Sequence, residues 1–188
     1  MKFFAPGFTS PTDAQSCFRG ILQALSTPGE IITLDRPVGP PPGLSGAAAS
    51  ALLTLVDATV SASLPEGEDA ARDWLVFHAG VQLTTPATAD FVMARGHFDL
   101  SQLKQGTDDV PEDGATLILD VASLESGREF RLTGPGIETE RRVMLPLNAA
   151  FLTDWRRQAH ITPRGVDVIL CHATRIMGLP RSLTIEEI

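Results

Sequence analysis

Two stretches of the chain are apolar at nearly every position: Ala-Thr-Leu-Ile-Leu-Asp-Val at 115–121 and Gly-Val-Asp-Val-Ile-Leu-Cys at 165–171. Successive side chains of a strand point to opposite faces of its sheet, so a strand with one wet face alternates polar and apolar residues. These two runs do not alternate and need covering on both faces. Helical periods interleave with them and can supply the cover. Residues 12–27 place Ala14, Phe18, Ile21, Leu22 and Leu25 at helical spacing behind Thr12 or Asp13 as a cap, and Ser26-Thr27-Pro28-Gly29 stops the pattern. Further helices are predicted over 46–56, over 68–78 with Ala71, Trp74, Leu75 and His78 on one face, and over 147–158 with Phe151, Leu152 and Trp155 as the inner stripe.

The remaining strands are predicted at 31–34, 59–64, 89–93 and 129–133, where Glu-Phe-Arg-Leu-Thr alternates, with a short edge segment at 175–179 and a polar tail after it. One or two helical turns fit 100–105. Pro37 to Gly46 carries four prolines and three glycines within residues 37–43 and 46, which reads as an extended surface loop. No repeat or linker divides the chain. The expectation is one α/β domain over 1–188, a three-layer sandwich around a mixed sheet.

A chain of 188 residues buries about 70% of its extended-chain surface and needs no staples. Fifteen Lys and Arg against 23 Asp and Glu leave a formal charge of −8, which opposes nucleic acid or an anionic membrane as the main partner. No apolar run reaches the length of about 18 residues that a membrane helix needs. The start, Met-Lys-Phe-Phe-Ala-Pro-Gly, breaks at a proline and does not read as a secretory signal. Soluble and cytoplasmic is the reading. Cys17 falls in a helix and Cys171 in a buried strand, as expected of unpaired core thiols.

Four local patterns touch on chemistry. Gly43-Leu44-Ser45-Gly46-Ala47 approximates a nucleophile elbow, but prolines 40–42 lead into it where a central strand is needed, so Ser45 reads as a helix cap. Histidines 78, 97, 160 and 172 are scattered, and adjacent Cys171 and His172 face opposite ways on a strand, so no metal site is expected. Asp108, Asp109, Glu112 and Asp113 read as an exposed acidic turn. Gly134-Pro135-Gly136 follows a strand and is flanked by Arg131, Thr133, Arg141 and Arg142. Glycine-turn amides and guanidinium forks can hold a phosphate or phosphonate there. The competing reading is a plain turn whose arginines pair with Glu138 and Glu140. Lysine occurs only at 2 and 104, neither well placed for a Schiff base, which argues against pyridoxal phosphate chemistry.

Several segments, taken together, resemble a known family. They are Asp13-Ala14-Gln15-Ser16-Cys17-Phe18-Arg19, Ala24-Leu25-Ser26-Thr27-Pro28-Gly29, Gly114-Ala115-Thr116-Leu117-Ile118-Leu119, Arg131 to Ile137, Gly165 to Leu170, and Leu179-Pro180-Arg181-Ser182. In this order they resemble the PhnH subunit of bacterial carbon–phosphorus lyase. Leu183 stands where a second small hydroxyl residue is expected. The resemblance implies a fold similar to that of the pyridoxal-phosphate-dependent transferases without the cofactor. It implies a homodimer, and a cytoplasmic complex with PhnG, PhnI and PhnJ that uses alkylphosphonates. That complex places the phosphonate on the ribose of a nucleoside triphosphate. The catalytic residues stay unassigned. The role expected is an accessory or assembly subunit, and the alternative is a chain that itself binds ligand through Arg131, Thr133, Gly134, Gly136 and Arg181.

Overall fold

The computed structural model describes residues 4–96 and 98–188, so Lys2 and His97 lie outside the described residues. Helix α1 (Pro11–Ser26) is capped by Ser10, whose hydroxyl accepts the Asp13 N–H at 3.3 Å, with Pro11 in the first turn. The cap therefore sits two or three residues earlier than expected. Pro11 explains this, since its fixed φ suits the first helical position and it has no N–H to lose there. Asp13 turns inward and pairs with Arg36 at 3.2 Å. The remaining elements are β1 (Ile32–Thr33), α2 (Gly46–Leu55), β2 (Ser61–Ser63), α3 (Asp69–Ala79), β3 (Gln82–Leu83), β4 (Phe91–Arg95), β5 (Thr116–Asp120), β6 (Arg128–Thr133), β7 (Arg141–Leu145), α4 (Ala149–Ala159), β8 (Asp167–His172), β9 (Arg175–Leu179) and β10 (Thr184–Glu187). Single 3₁₀ turns lie at Leu100–Gln102 and Pro111–Asp113.

The fold is mixed α/β. A seven-stranded mixed sheet runs β1-β9-β8-β5-β4-β2-β3, parallel from β8 through β3 and antiparallel at β9 and β1. Strand alternation splits the interior into two cores. Ile118, Ile169, Cys171 and Ile176 face α1, α2 and α3. Leu117, Leu119, Val168, Leu170 and Met177 face the other way, toward α4 and a separate antiparallel sheet β10-β6-β7. Both faces of β5 and β8 are thus dry, as their uninterrupted composition demands.

Three expectations are corrected, and two strands are added to those expected. The 175–179 segment is not an edge, because β1 pairs outside it and its last four residues are buried. The polar tail folds as β10, with Ile185 pointing into the second core. Strands β3 and β7 have no clear sequence signal. The buried stripe of α1 is Asp13, Cys17, Ile21 and Ala24, while Phe18 and Leu22 are 49% and 57% exposed.

The last correction has a steric cause. Gly178 of β9 lies directly under α1, where a Cβ would press into the Ala24 carbonyl group, 2.6 Å from its carbon. Small residues on both sides let the two backbones touch, so α1 turns its alanine to the sheet and its larger side chains outward. The connections set a switch point as well. The chain passes from β2 to β3 over the α1–α3 face through α3, and from β4 to β5 to β8 over the opposite face. The strand order therefore reverses between β2 and β4, and crevices form beyond the carboxyl ends of such strands.

Gly178→Ala is expected to cost about 1–3 kcal/mol by overpacking, read as a lower urea midpoint at unchanged m-value. The two tryptophans report on the cores separately, Trp74 among the α1–α3 side chains and Trp155 beside β10. The Trp74→Phe and Trp155→Phe variants should show coincident fluorescence transitions, as a single folding unit requires. Two separated midpoints would instead mean that the cores unfold independently.

Candidate functional site

The Gly134–Gly136 turn joins β6 to β7 and lies against the C-terminal end of α1. Gly136, at φ +85°, packs on the Ser26 carbonyl, and a Cβ there would also come within 2.8 Å of Pro28. Gly29, at φ +79°, nests against Leu132 and Arg141. Arg141 donates through Nη1 to the carbonyls of Thr27 at 3.4 Å and Pro28 at 3.1 Å. The turn therefore faces the carbonyl end of a helix, which carries partial negative charge and attracts cations rather than phosphate.

The flanking arginines are engaged. Arg131 reaches across to β10 and donates through Nε to Glu186 at 3.0 Å and through Nη2 at 2.5 Å, with Glu140 3.8 Å away. The bond to Glu186 raises its pKa further. Arg142 pairs with Glu140 at 3.2 Å. Thr133 is half-buried opposite Thr184, and Gly134, at φ +138°, packs beneath the Ser182 carbonyl. The carboxylate partners are Glu140 and Glu186; Glu186 belongs to the tail that the sequence left without structure.

Arg181 lies elsewhere, at the amino end of the parallel strands. Its backbone N–H and its Nε and Nη2 all bond to Asp167, at 2.7, 3.1 and 2.6 Å, and its Nη1 bonds to the Pro111 carbonyl at 2.6 Å. Gly114 leaves room for this guanidinium: a Cβ there would lie 2.6 Å from Nη1. Arg181 is thus a partly buried clasp across β8, the 111–114 turn and the segment after β9. Its guanidinium bonds to Asp167 and Pro111 rather than to the Gly134–Gly136 turn, although the next residue, Ser182, lays its carbonyl over Gly134.

Other candidates resolve into structural roles. Ser45 caps α2, its hydroxyl accepting the Ala48 N–H at 3.1 Å, while its own N–H donates to Asp120 at 2.9 Å. The ring of His78 stacks edge-on against Trp74 and Phe77, and its Nε2 lies 2.9 Å from the Ala5 carbonyl. His172 meets the Val121 carbonyl at 3.0 Å, and His160 is exposed at the end of α4. Among the described residues no group of three His, Cys, Asp or Glu is placed to hold a metal. Asp108, Asp109, Glu112 and Asp113 form an exposed turn, with Arg164 3.0 Å from Asp108. Cys17 and Cys171 are free and buried, and burial pushes both thiols up, well up for Cys171. Neither is a thiolate nucleophile. No described helix is long and apolar enough to cross a membrane.

Lys104 pairs with Asp90 at 2.8 Å, and that hydrogen bond raises its pKa. Asp90 also accepts from the Ser61 hydroxyl at 2.7 Å and the Ser61 N–H at 2.9 Å. Burial works to raise the Asp90 pKa, but the bonds from Lys104 and Ser61 outweigh it and the net shift is down.

Comparison with known proteins places these contacts in a family. The family model described as "Bacterial phosphonate metabolism protein (PhnH)" matches residues 6–186. The chain belongs to the PhnH family. It is 31% identical to the alpha-D-ribose 1-methylphosphonate 5-triphosphate synthase subunit PhnH of Rhizobium meliloti (strain 1021), over 98% of this chain and 96% of that protein. It is also 31% identical to HtxG of Stutzerimonas stutzeri, named there as a candidate C-P lyase subunit, over 92% of this chain and 85% of that protein.

The segments that carried the PhnH resemblance meet in space at two places. Residues 24–29 and 131–137 form the α1 clasp, beside Gly178 of β9, and Gly114, Gly165, Asp167 and Arg181 form the amino-end clasp. Their glycines sit where backbone or a guanidinium comes close. Arg181→Met should strand Asp167 and the Pro111 carbonyl, lowering stability by about 2–4 kcal/mol, and Asp167→Asn should recover little of it in the double variant. Asp90→Asn should cost about 1 kcal/mol at neutral pH. Because the folded pKa of Asp90 is depressed, that contribution is present above the ordinary value of 3.8 and fades as pH falls through the lowered one. Urea titrations of both proteins should converge in acid.

Proposed function

We propose that this chain is a subunit of the carbon–phosphorus lyase core complex, acting with PhnG, PhnI and PhnJ in alkylphosphonate utilisation. Its contribution is to the formation of ribose 1-phosphonate 5-triphosphate from a nucleoside triphosphate and a phosphonate, as an accessory or assembly part. The observation that carries this reading is the end-to-end likeness to a protein named as a subunit of that synthase. The engagement of Arg131, Arg141 and Arg181 by the protein's own oxygens supports an assembly role over catalysis by the chain alone. The central sheet with cover on both faces supports the likeness to the pyridoxal-phosphate-dependent transferases. Lys104, held protonated by Asp90, is a poor amine for a Schiff base, in keeping with a cofactor-free version of that fold.

The proposed assembly is a cytoplasmic homodimer. Apolar strands near the C-terminus and the scarcity of lysine suggest a low-charge surface for the dimer, but β8 and β9 are buried between layers and do not supply it. Phe18 and Leu22, one helical turn apart on the outside of α1, supply it instead. Such exposed apolar residues are typical interface material.

Co-expression with PhnG, PhnI and PhnJ should recover this chain in one stoichiometric complex, and failure to co-purify from phosphate-starved cells counts against the reading. Light scattering of the chain alone should give twice the monomer mass, with Phe18→Ser lowering it. The competing reading, independent ligand binding at the Gly134–Gly136 turn, requires Arg131 to leave Glu186. Calorimetry with ATP and with methylphosphonate separates the two: heat of binding that Arg131→Ala abolishes favours the turn, and no heat at millimolar ligand removes it.

A further inference from the structure

Seven large apolar side chains stand exposed among the described residues, and four of them lie on the outer face of one helix layer: Phe18 and Leu22 on α1, Val76 and Phe77 on α3. The other three, Val110, Met144 and Ile188, are scattered over separate segments. Helix α2 lies between α1 and α3 and packs on both. Its outer side is crossed by residues 4–10. There Phe4 stacks on Phe77 at 4.6 Å, the Ala5 carbonyl accepts from Trp74 Nε1 at 2.8 Å, and Gly7 sits against Leu53 of α2. This strap, Phe-Ala-Pro-Gly-Phe-Thr-Ser, carries no charged side chain. An apolar band thus runs across the layer from Phe18 and Leu22, over the strap, to Phe77 and Val76.

The two ends of the band differ in charge. On α1, Arg19 is exposed beside Phe18 and about one turn from Leu22. On α3, Asp69, Asp73, Val76 and Phe77 are all exposed and fall within about 100° of one another around the helix. One end is therefore apolar with a cation, and the other is apolar with carboxylates.

The direction of the helices decides how such a face can meet its own copy. Helices α1, α2 and α3 each lead straight into a strand, β1, β2 and β3, and those three strands run the same way. The helices are thus parallel to one another. A two-fold axis along α2 sets α1 of one copy beside α3 of the other, and the same contact recurs with the copies exchanged. Packing α1 on α1 instead would bring Arg19 against its own copy, and α3 on α3 would oppose carboxylates. We propose that this face is the interface between two copies of the chain, with Phe18, Leu22 and Arg19 of one packed on Val76, Phe77 and the Asp69 and Asp73 carboxylates of the other. The uncharged strap lies at the axis. An apolar centre with charge toward the rim is the common make-up of an interface. The proposal rests on the homodimer reading and adds which helices meet and in what pairing.

Sedimentation equilibrium on the full chain tests it. Phe77→Ser should raise the dimer dissociation constant about tenfold or more, as Phe18→Ser does, because a two-fold interface counts each change twice. Arg19→Glu should weaken the dimer as well, and adding Asp69→Lys to the same chain should restore it. The wild-type dimer should loosen as NaCl rises from about 0.05 M to about 0.5 M, since attraction between exposed charges is screened. If Phe77→Ser lowers the melting temperature by freeing Phe4, the Arg19 and Asp69 variants carry the test. An Arg19→Glu dimer as tight as wild type overturns the pairing, as does an Arg19→Glu dimer that Asp69→Lys does not recover, or one unmoved by Phe77→Ser in a folded chain. Those results leave a homodimer in place, whereas a monomeric wild-type chain removes the homodimer reading together with this one.

Discussion

Burial of β5 and β8 on both faces is the constraint from which the rest of the molecule follows. Two strands dry on both sides need two layers of cover, and this chain builds them differently. One side takes three helices, with α2 buried along seven consecutive residues from Gly46 to Leu52. The other takes one helix and a small antiparallel sheet. The chain leaves the central sheet after β5 to build that second layer, returns at β8, and leaves again after β9 to form β10.

The two clasps rest on backbone proximity more than on side-chain bulk. At Gly178 the central sheet touches α1, at Gly136 the hairpin of the small sheet touches the end of the same helix, and at Gly114 a guanidinium occupies the space of a missing Cβ. Arginine suits the last place because its planar fork meets a carboxylate with two donors and still reaches a carbonyl. Charge in this protein thus serves largely as internal fastening.

The sequence was most legible where one element's burial decided its composition. The apolar runs at 115–121 and 165–171, the Phe151, Leu152 and Trp155 stripe and the Ser45 cap all stand where their residue types require. It was least legible where a distant partner decided. The Arg-Arg-Val-Met-Leu of β7 and the Thr-Ile-Glu-Glu of β10 form strands because β6 lies between them. The outward turn of Phe18 and Leu22 depends on a glycine more than 150 positions away in the chain, so helical spacing alone assigned them to the wrong face. Arg131 and Arg181 looked free because Glu186 and Asp167 come from other segments.

The start of α2 brings its own counter-anion. Asp120 receives the Ser45 amide, and the Ala173 carbonyl receives that of Ala47 at 2.8 Å, so this helix's positive pole is neutralised from within. Cellular phosphate has no vacancy to compete for at that point, however abundant it is. A nucleotide or phosphorylated metabolite drawn to this protein must therefore settle on a different part of its surface. That insulation keeps the interior helix indifferent to the phosphorus status of the cell.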